Sequence, residues 1–166
     1  QMSPFLLPKF MIMIENGYDA VVGSRFIFGG GDKRYESSSQ NWKLIQIHKY
    51  LSRLISELCY YTFGKNHKDW TSGFIAVKRE VLKNIRLHGK HGEYFIFLTY
   101  QILKSGNRLI EVPYVLLPRE KGKSKTSKNY FLFIVQGMKY IFAFSNLILV
   151  HKLSYNTILE KRLYQS

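Results

Sequence analysis

Cysteine is all but missing from these 166 residues. The single Cys59 cannot close an intramolecular disulfide, which excludes the small disulfide-stapled scaffolds and makes a reducing compartment the default. Acidic residues are scarce too. Eleven Asp and Glu stand against 25 Lys and Arg, and the formal charge of +14 calls for an anionic partner: nucleic acid, anionic lipid or a phosphorylated substrate. Internal repeats are absent. Gln1 opens the chain without a basic n-region and with a proline at position 4, which reads as a cut through a longer protein and not as a signal peptide. The triple glycine Gly29-Gly30-Gly31 is not followed by Gly-Lys-Ser/Thr and is therefore no phosphate-binding P-loop. What is present is apolar: 46% hydrophobic residues suffice for one packed domain and exclude intrinsic disorder.

Ser3-Pro4, a capping hydroxyl before a proline, starts a helix over about 4–16, with Phe5, Leu6, Phe10, Met11 and Ile14 at helical spacing. Tyr18 to Val22 reads as a buried strand that delivers Gly23-Ser24-Arg25 at its carboxyl end, where α/β sheets keep their ligands. The loop from Phe28 to Asn41, rich in glycine, serine and charge, reads as a mobile lid. An amphipathic helix follows from Trp42 to Phe63, with Leu44, Ile45, Leu51, Leu54, Ile55 and Leu58 inward, His48, Lys49, Ser52 and Arg53 on its polar face, and Gly64 as its stop. A strand at 74–77, a short helix at 79–85, a helix at 94–104 and a strand at 108–117, demoted towards an edge by Pro113, complete an α/β pattern.

Tyr130 to Val150 is about 21 residues, roughly 32 Å as a helix and long enough to span a bilayer. Gln136, Lys139 and Asn146 nevertheless form a polar stripe, and basic residues flank the segment on both sides. A helix lying in the membrane interface is the expectation, against a spanning helix or a soluble core helix. Three segments result: 1–128 as an α/β domain, 129–150 as the interface helix and 151–166 as a polar tail.

Several separated strings agree with one family: Asp19 to Arg25 with the triple glycine, Asp69-Trp70-Thr71-Ser72-Gly73-Phe74 followed by Lys78-Arg79-Glu80, Glu111-Val112-Pro113-Tyr114, and Arg119 with Gly122, Ser124 and Lys125. Over residues 1 to about 128 the chain resembles the family 2 glycosyltransferases that make polyprenyl-phosphate sugars, the dolichol-phosphate mannose synthases in particular. The resemblance implies the carboxyl-terminal portion of a GT-A fold, a Rossmann-like α/β domain. It also implies inverting transfer of a hexose from GDP-mannose or UDP-glucose to a polyprenyl phosphate, at the cytoplasmic face of a membrane. The family's Asp-x-Asp-x-Gln motif holds Mg²⁺ or Mn²⁺; Gln1 matches its last ligand, so both carboxylates fall outside this chain. A lone amide oxygen is a poor site for either ion, and the fragment by itself is expected to be inactive.

The resemblance assigns Arg25 and Ser52 to the acceptor phosphate and Arg119 and Lys125 to a loop closing over donor diphosphate and acceptor. Asp69, Thr71, Ser72 and Gly73 fall at the sugar pocket, and Glu93 near the donor hexose. Where the family carries an arginine one turn before the serine, this chain has His48 followed by Lys49. Residues 48 and 52 share a helix face whereas 49 is rotated by about 100°, so a partly protonated His48 is the geometric substitute unless Lys49 swings in. Lys121 and Lys123 fit a membrane-surface patch equally well. His88, His91 and Glu93 lie in a glycine-rich loop without a fourth ligand, which argues against zinc. Two other readings remain. One is a basic nucleic-acid-binding module, disfavoured because the aromatics cluster in apolar runs such as Tyr140 to Phe144 and no RNA- or DNA-binding signature appears. The other is a non-catalytic membrane-association module.

Overall fold

A computed structural model describes residues 2–34, 42–85, 87, 89, 92–118 and 130–163. Gln1, His88, His91, Arg119, Lys121, Lys123 and Lys125 lie outside them. The chain opens with a 3-10 turn at Pro4–Leu6 and continues as helix α1, Leu7–Glu15. The expected Ser3 cap is not made: its hydroxyl forms no capping hydrogen bond, and the Leu6 N–H bonds the Ser3 carbonyl instead. The fixed φ of Pro4 starts the turn without a side-chain acceptor.

Strand β1, Ala20–Ser24, is buried along its whole length. It pairs parallel with Leu109–Pro113 and antiparallel with Ile75–Val77, so Val21 lies opposite Ile110 on one side and Ala76 on the other. Successive side chains of a strand point to opposite faces, and the packing follows that alternation. Val21 meets Phe10 of α1 on one face, while Ala20 meets Leu98 and Ile102 of the helix Tyr94–Lys104 on the other. The sheet is thus a thin layer between two helices.

In chain order the remaining elements are β2 (Gly31–Asp32), α2 (Trp42–Phe63), β3 (Ile75–Val77), α3 (Arg79–Lys83), α4 (Tyr94–Lys104), β4 (Leu109–Pro113), β5 (Val115–Leu116) and α5 (Tyr130–Leu163). The segment from Leu109 to Leu116 serves two partners. Its first half pairs with β1, and beyond Pro113 its second half pairs parallel with β2. Pro113 closes an edge strand, as its missing N–H requires.

The lid expected over 28–41 is corrected for its described part. Gly31 and Lys33 donate backbone hydrogen bonds to Tyr114 and Leu116, which anchors this stretch beside the end of β1. Gly30 makes that possible, because a Cβ there would come within 2.5–2.9 Å of the Ser24 and Arg25 backbone.

Helix α2 runs over the expected residues and ends at Gly64, whose φ of 124° suits a residue without Cβ. Its orientation differs from the expected one. Ser52, Ser56 and Cys59 face inward, while Leu54 and Leu58 are exposed. The reason lies in what the helix covers: Ser56 Oγ accepts the Trp70 N–H at 3.1 Å, so small polar residues are needed against the 67–73 loop.

Helix α5 is continuous through Leu163, past the boundary drawn at Val150. Ala143 and Leu147 are buried against the body of the protein, with Phe144 packed 5.7 Å from Phe63 of α2. Among the described residues no helix is long and apolar enough to cross a membrane. The polar stripe expected to face lipid headgroups is corrected as well, since Lys139 and Asn146 line a cavity beside α4.

Adjacent glycines provide a test of this packing. Gly30→Ala should lower the unfolding free energy by about 1–3 kcal/mol, because fixed backbone opposes the methyl group. Gly31→Ala, whose Cβ would meet only Val115 at 4.0 Å, should be tolerated. Equal denaturant midpoints for the two variants would contradict the tight seat of Gly30.

Candidate functional site

At the carboxyl end of β1 the chain delivers Arg25 into the body of the protein, where it is 6% exposed. Asp69, fully buried, receives it as a fork: Nε donates to Oδ2 at 2.8 Å and Nη2 to Oδ1 at 2.7 Å. The Arg25 backbone N–H adds a third bond to Oδ2 at 2.9 Å, and Nη2 also reaches Thr71 Oγ1 at 2.8 Å. Burial opposes the guanidinium charge, but the bonds and charge of Asp69 outweigh it and raise the Arg25 pKa above its ordinary value. The expectation that Arg25 contacts a phosphate and Asp69 a sugar thus meets a different local fact: the two bind each other.

The loop carrying Asp69 is itself fixed. Glu111 of β4 accepts the Lys68 and Asp69 N–H groups at 2.8 and 3.0 Å. His67 donates from Nε2 to the Asp69 carbonyl at 2.9 Å, and Trp70 Nε1 donates to the His67 carbonyl at 2.9 Å. The Ser72 hydroxyl donates to the Gly23 carbonyl, tying the loop to β1. Thr71 is half-buried and Gly73 is exposed at φ 68°, so these two are the parts of the loop nearest to solvent.

A second basic group lies on the same side of α2. Arg34 holds Asp32 with Nε at 2.9 Å and Nη2 at 2.6 Å, and its Nη2 also donates to His48 Nδ1 at 3.3 Å. Ser52, one turn along the helix, lies 3.4 Å from the same Nδ1. Burial opposes ionisation of Asp32, yet Arg34 outweighs it and holds that carboxyl below its usual range. Burial, then the positive charges of Arg34 and Arg25, push the His48 pKa down to about 4. The expectation of a partly protonated His48 is therefore corrected. The imidazole is neutral at neutral pH, and the positive charge at this position comes from Arg34. Lys49 is half-buried about 100° round the helix.

Glu93 is buried just before α4, and Tyr140 of α5 reaches it. A Cβ on Gly92 would collide with the Tyr140 hydroxyl. Burial and the Glu93 charge push the Tyr140 pKa up to about 12, with Arg25 acting in the opposite sense. Helix α5 therefore places a phenol at the edge of the site. Sequence reasoning missed Asp32, Arg34 and Tyr140. The close pair Asp32 and Arg34 was a usable signal for the first two, hidden by the reading of their loop as a lid.

The described residues do not fit a divalent cation. No group of three His, Cys, Asp or Glu side chains comes together among them. Asp19, Asp32 and Asp69 are committed to Lys78, Arg34 and Arg25 respectively, and Glu111 to backbone N–H groups.

Comparison with known proteins agrees with the motifs. The chain is 29% identical over 128 residues to the polyprenol monophosphomannose synthase of Mycolicibacterium smegmatis, covering 75% of this chain and 45% of that protein. It is 27% identical over the same length to the dolichol-phosphate mannosyltransferase of Pyrococcus furiosus, covering 33% of it. The undecaprenyl-phosphate mannosyltransferase of Micrococcus luteus is 29% identical, with 49% of it covered. The chain thus spans less than half the length of these curated relatives. No family model matches it. These likenesses support the resemblance to the family 2 glycosyltransferases at the level of the family.

Two measurements test the site's construction. Asp69→Asn leaves a buried guanidinium without its counter-charge and should cost about 3–5 kcal/mol, whereas Arg25→Met combined with Asp69→Leu should cost much less than the sum of the singles. Additive losses in urea unfolding would show that the fork contributes no coupling.

His48 gives a pH dependence of known sign. Its folded pKa of about 4 lies below its ordinary 6.5, so as pH falls the unfolded chain takes up the proton first. Its contribution is complete above about 6.5 and is lost down to about 4, at no more than about 1.4 kcal/mol per pH unit. His48→Gln should flatten that part of the stability profile, and an unchanged slope would place His48 in solvent.

Proposed function

We propose that this chain is part of a glycosyltransferase that moves a mannosyl group from a nucleotide sugar to a polyprenyl phosphate at a membrane surface. GDP-mannose is the first candidate donor and UDP-glucose the second. The carrying observation is the gathering of Arg25, Arg34, His48 and Ser52 beside the carboxyl end of β1, within a stretch that aligns with three polyprenyl-phosphate mannosyltransferases.

A phosphate monoester has its second pKa near 6. It is already largely the nucleophile at neutral pH, so the protein's task is orientation and charge, not proton removal. Guanidinium forks and a hydroxyl supply both. The fork to Asp69 occupies Nε and Nη2 of Arg25 and leaves Nη1 over. Asp69 then acts as a positioning residue: it holds Arg25 rigid so that Nη1 meets the acceptor. Arg34, braced by Asp32, adds the second charge, and neutral His48 accepts from Arg34 and fixes its direction. Inversion is direct displacement by the phosphate oxygen at the sugar's anomeric carbon. The nucleoside diphosphate leaves, and no covalent enzyme intermediate forms. A divalent cation enters this reading only with ligands from outside the described residues, Gln1 among them, and no step is derived through it.

The membrane part of the proposal is supported by two exposed apolar stripes. On α2, Ile47, Tyr50, Leu54, Leu58 and Tyr61 follow one another at three- and four-residue steps, all at least 40% exposed. On α5, Ile134, Met138, Ile141, Phe142 and Leu149 form a second stripe on the face away from buried Ala143 and Leu147. Such stripes suit helices resting in a lipid interface, and the charge of +14 suits an anionic leaflet.

Transfer from labelled GDP-mannose to undecaprenyl phosphate, by the full polypeptide that carries this sequence, tests the reading. Arg34→Gln should raise the acceptor KM by about tenfold, the loss of one charge-assisted contact, and leave the donor KM unchanged. A rise in donor KM alone would move Arg34 to the nucleotide side. Absence of transfer from either donor by the unaltered polypeptide would overturn the function itself.

A further inference from the structure

Between α4 and α5 runs a cavity of about 1120 Å³, at or beyond the upper end of the roughly 300–1,000 Å³ that small-molecule sites occupy. It extends from Glu93 to Ser105, a helix length of about 18 Å, so it is an elongated groove. Its floor is apolar, with Phe97, Tyr100, Ala143 and Leu147 along the middle. One rim is formed by Met138, Phe142 and Val150 of α5, which are 62%, 68% and 46% exposed. Met138 and Phe142 belong to or adjoin the exposed stripe of that helix, so the groove opens on the apolar side of the protein.

The two ends differ in charge. At the Glu93 end, Lys139 faces a carboxylate, and the two signs offset each other. At the other end Lys104 and Ser105 line the groove without an acid, Lys104 Nζ lies 5.7 Å from the Tyr100 ring centre, and the amides of Gln101 and Asn146 are adjacent along the wall. An elongated apolar trough with one cationic, hydrogen-bonding end is complementary to a chain with an anionic head.

We propose that the α4–α5 groove binds one hydrocarbon chain of an anionic phospholipid, with its phosphate at the Lys104–Ser105 end. The chain lies along Phe97, Ala143 and Leu147 between the two helices. The head is then about one helix length of α4 from Glu93, on the far side from Arg25, which separates this lipid from an acceptor whose phosphate must reach Arg25. The inference does not depend on the transferase reading, and its test needs no sugar transfer. A lipid chain held here would clamp α5 to α4 and so keep Tyr140 against Gly92 and Glu93.

Isothermal titration of the protein with lauroyl-lysophosphatidylglycerol below its micelle concentration tests the proposal. Saturable binding of one molecule per chain is expected. Lys104→Glu should weaken it by about tenfold, the loss of one charge-assisted contact, while leaving dodecyl maltoside, a neutral single-chain probe, unaffected. Val150→Glu, at the exposed rim, should weaken both probes, and Ile134→Glu, on the same helix but outside the groove, should weaken neither. Non-saturable uptake, or equal losses for Val150→Glu and Ile134→Glu, would show general adsorption to the apolar face and overturn the site. Displacement by farnesyl phosphate at a tenth of the lysolipid concentration would also overturn it, by giving the groove to an isoprenoid.

Discussion

Arg25 and Asp69 form a buried ion pair between two residues 44 positions apart, and the arrangement of the site depends on it. A fork of this kind is stable only when both charges are desolvated together and every remaining lone pair finds a donor. That condition organises the surroundings. The Arg25 and Thr71 N–H groups and the Thr71 hydroxyl surround the Asp69 carboxylate. Glu111 and His67 fix the backbone on which it sits. Strand β1, the 67–73 loop, α2 and β4 meet at this point, so the element that presents Arg25 is held from several directions.

The electrostatics around α2 follow from the same crowding of charge. With Arg25 and Arg34 both acting on His48, a third cation at that position would be repelled and desolvated together, so the imidazole stays neutral and accepts from Arg34. The family's arginine on the helix is thus replaced by an arginine from a neighbouring loop, braced by Asp32. A site can keep its charge while moving the residue that carries it, provided the backbone brings the substitute close. Gly30 provides that approach here.

The exposed apolar surface has a comparable logic. Helices α2 and α5 pack on one another through Phe63 and Phe144, and each bears an outer apolar stripe that nothing in the described chain covers. Contiguous apolar patches of this kind mark interaction surfaces in soluble proteins. Between α4 and α5 the same surface deepens into a groove with one basic end, and Tyr140 links that groove to Glu93.

Much of the fold was legible in the residues. The buried run of β1, the Gly64 stop of α2, the extents of α4 and the strand at 109–116 all follow from local periodicity and turn chemistry, which act over a few residues. So did the presence of Arg25 at the carboxyl end of a strand, and the strings that align with the mannosyltransferases. What local pattern could not decide was direction and partnership. Leu54 and Leu58 point outward, Ser52 and Ser56 inward, because the loop they cover offers N–H groups and not an apolar wall. The 31–34 stretch lost its apparent freedom to a strand more than 80 residues away. The charge state of His48 came from burial and two arginines on other segments. Composition and spacing set which elements form. Which side chains share a dehydrated volume, and so which charges survive there, is a property of the assembled packing alone.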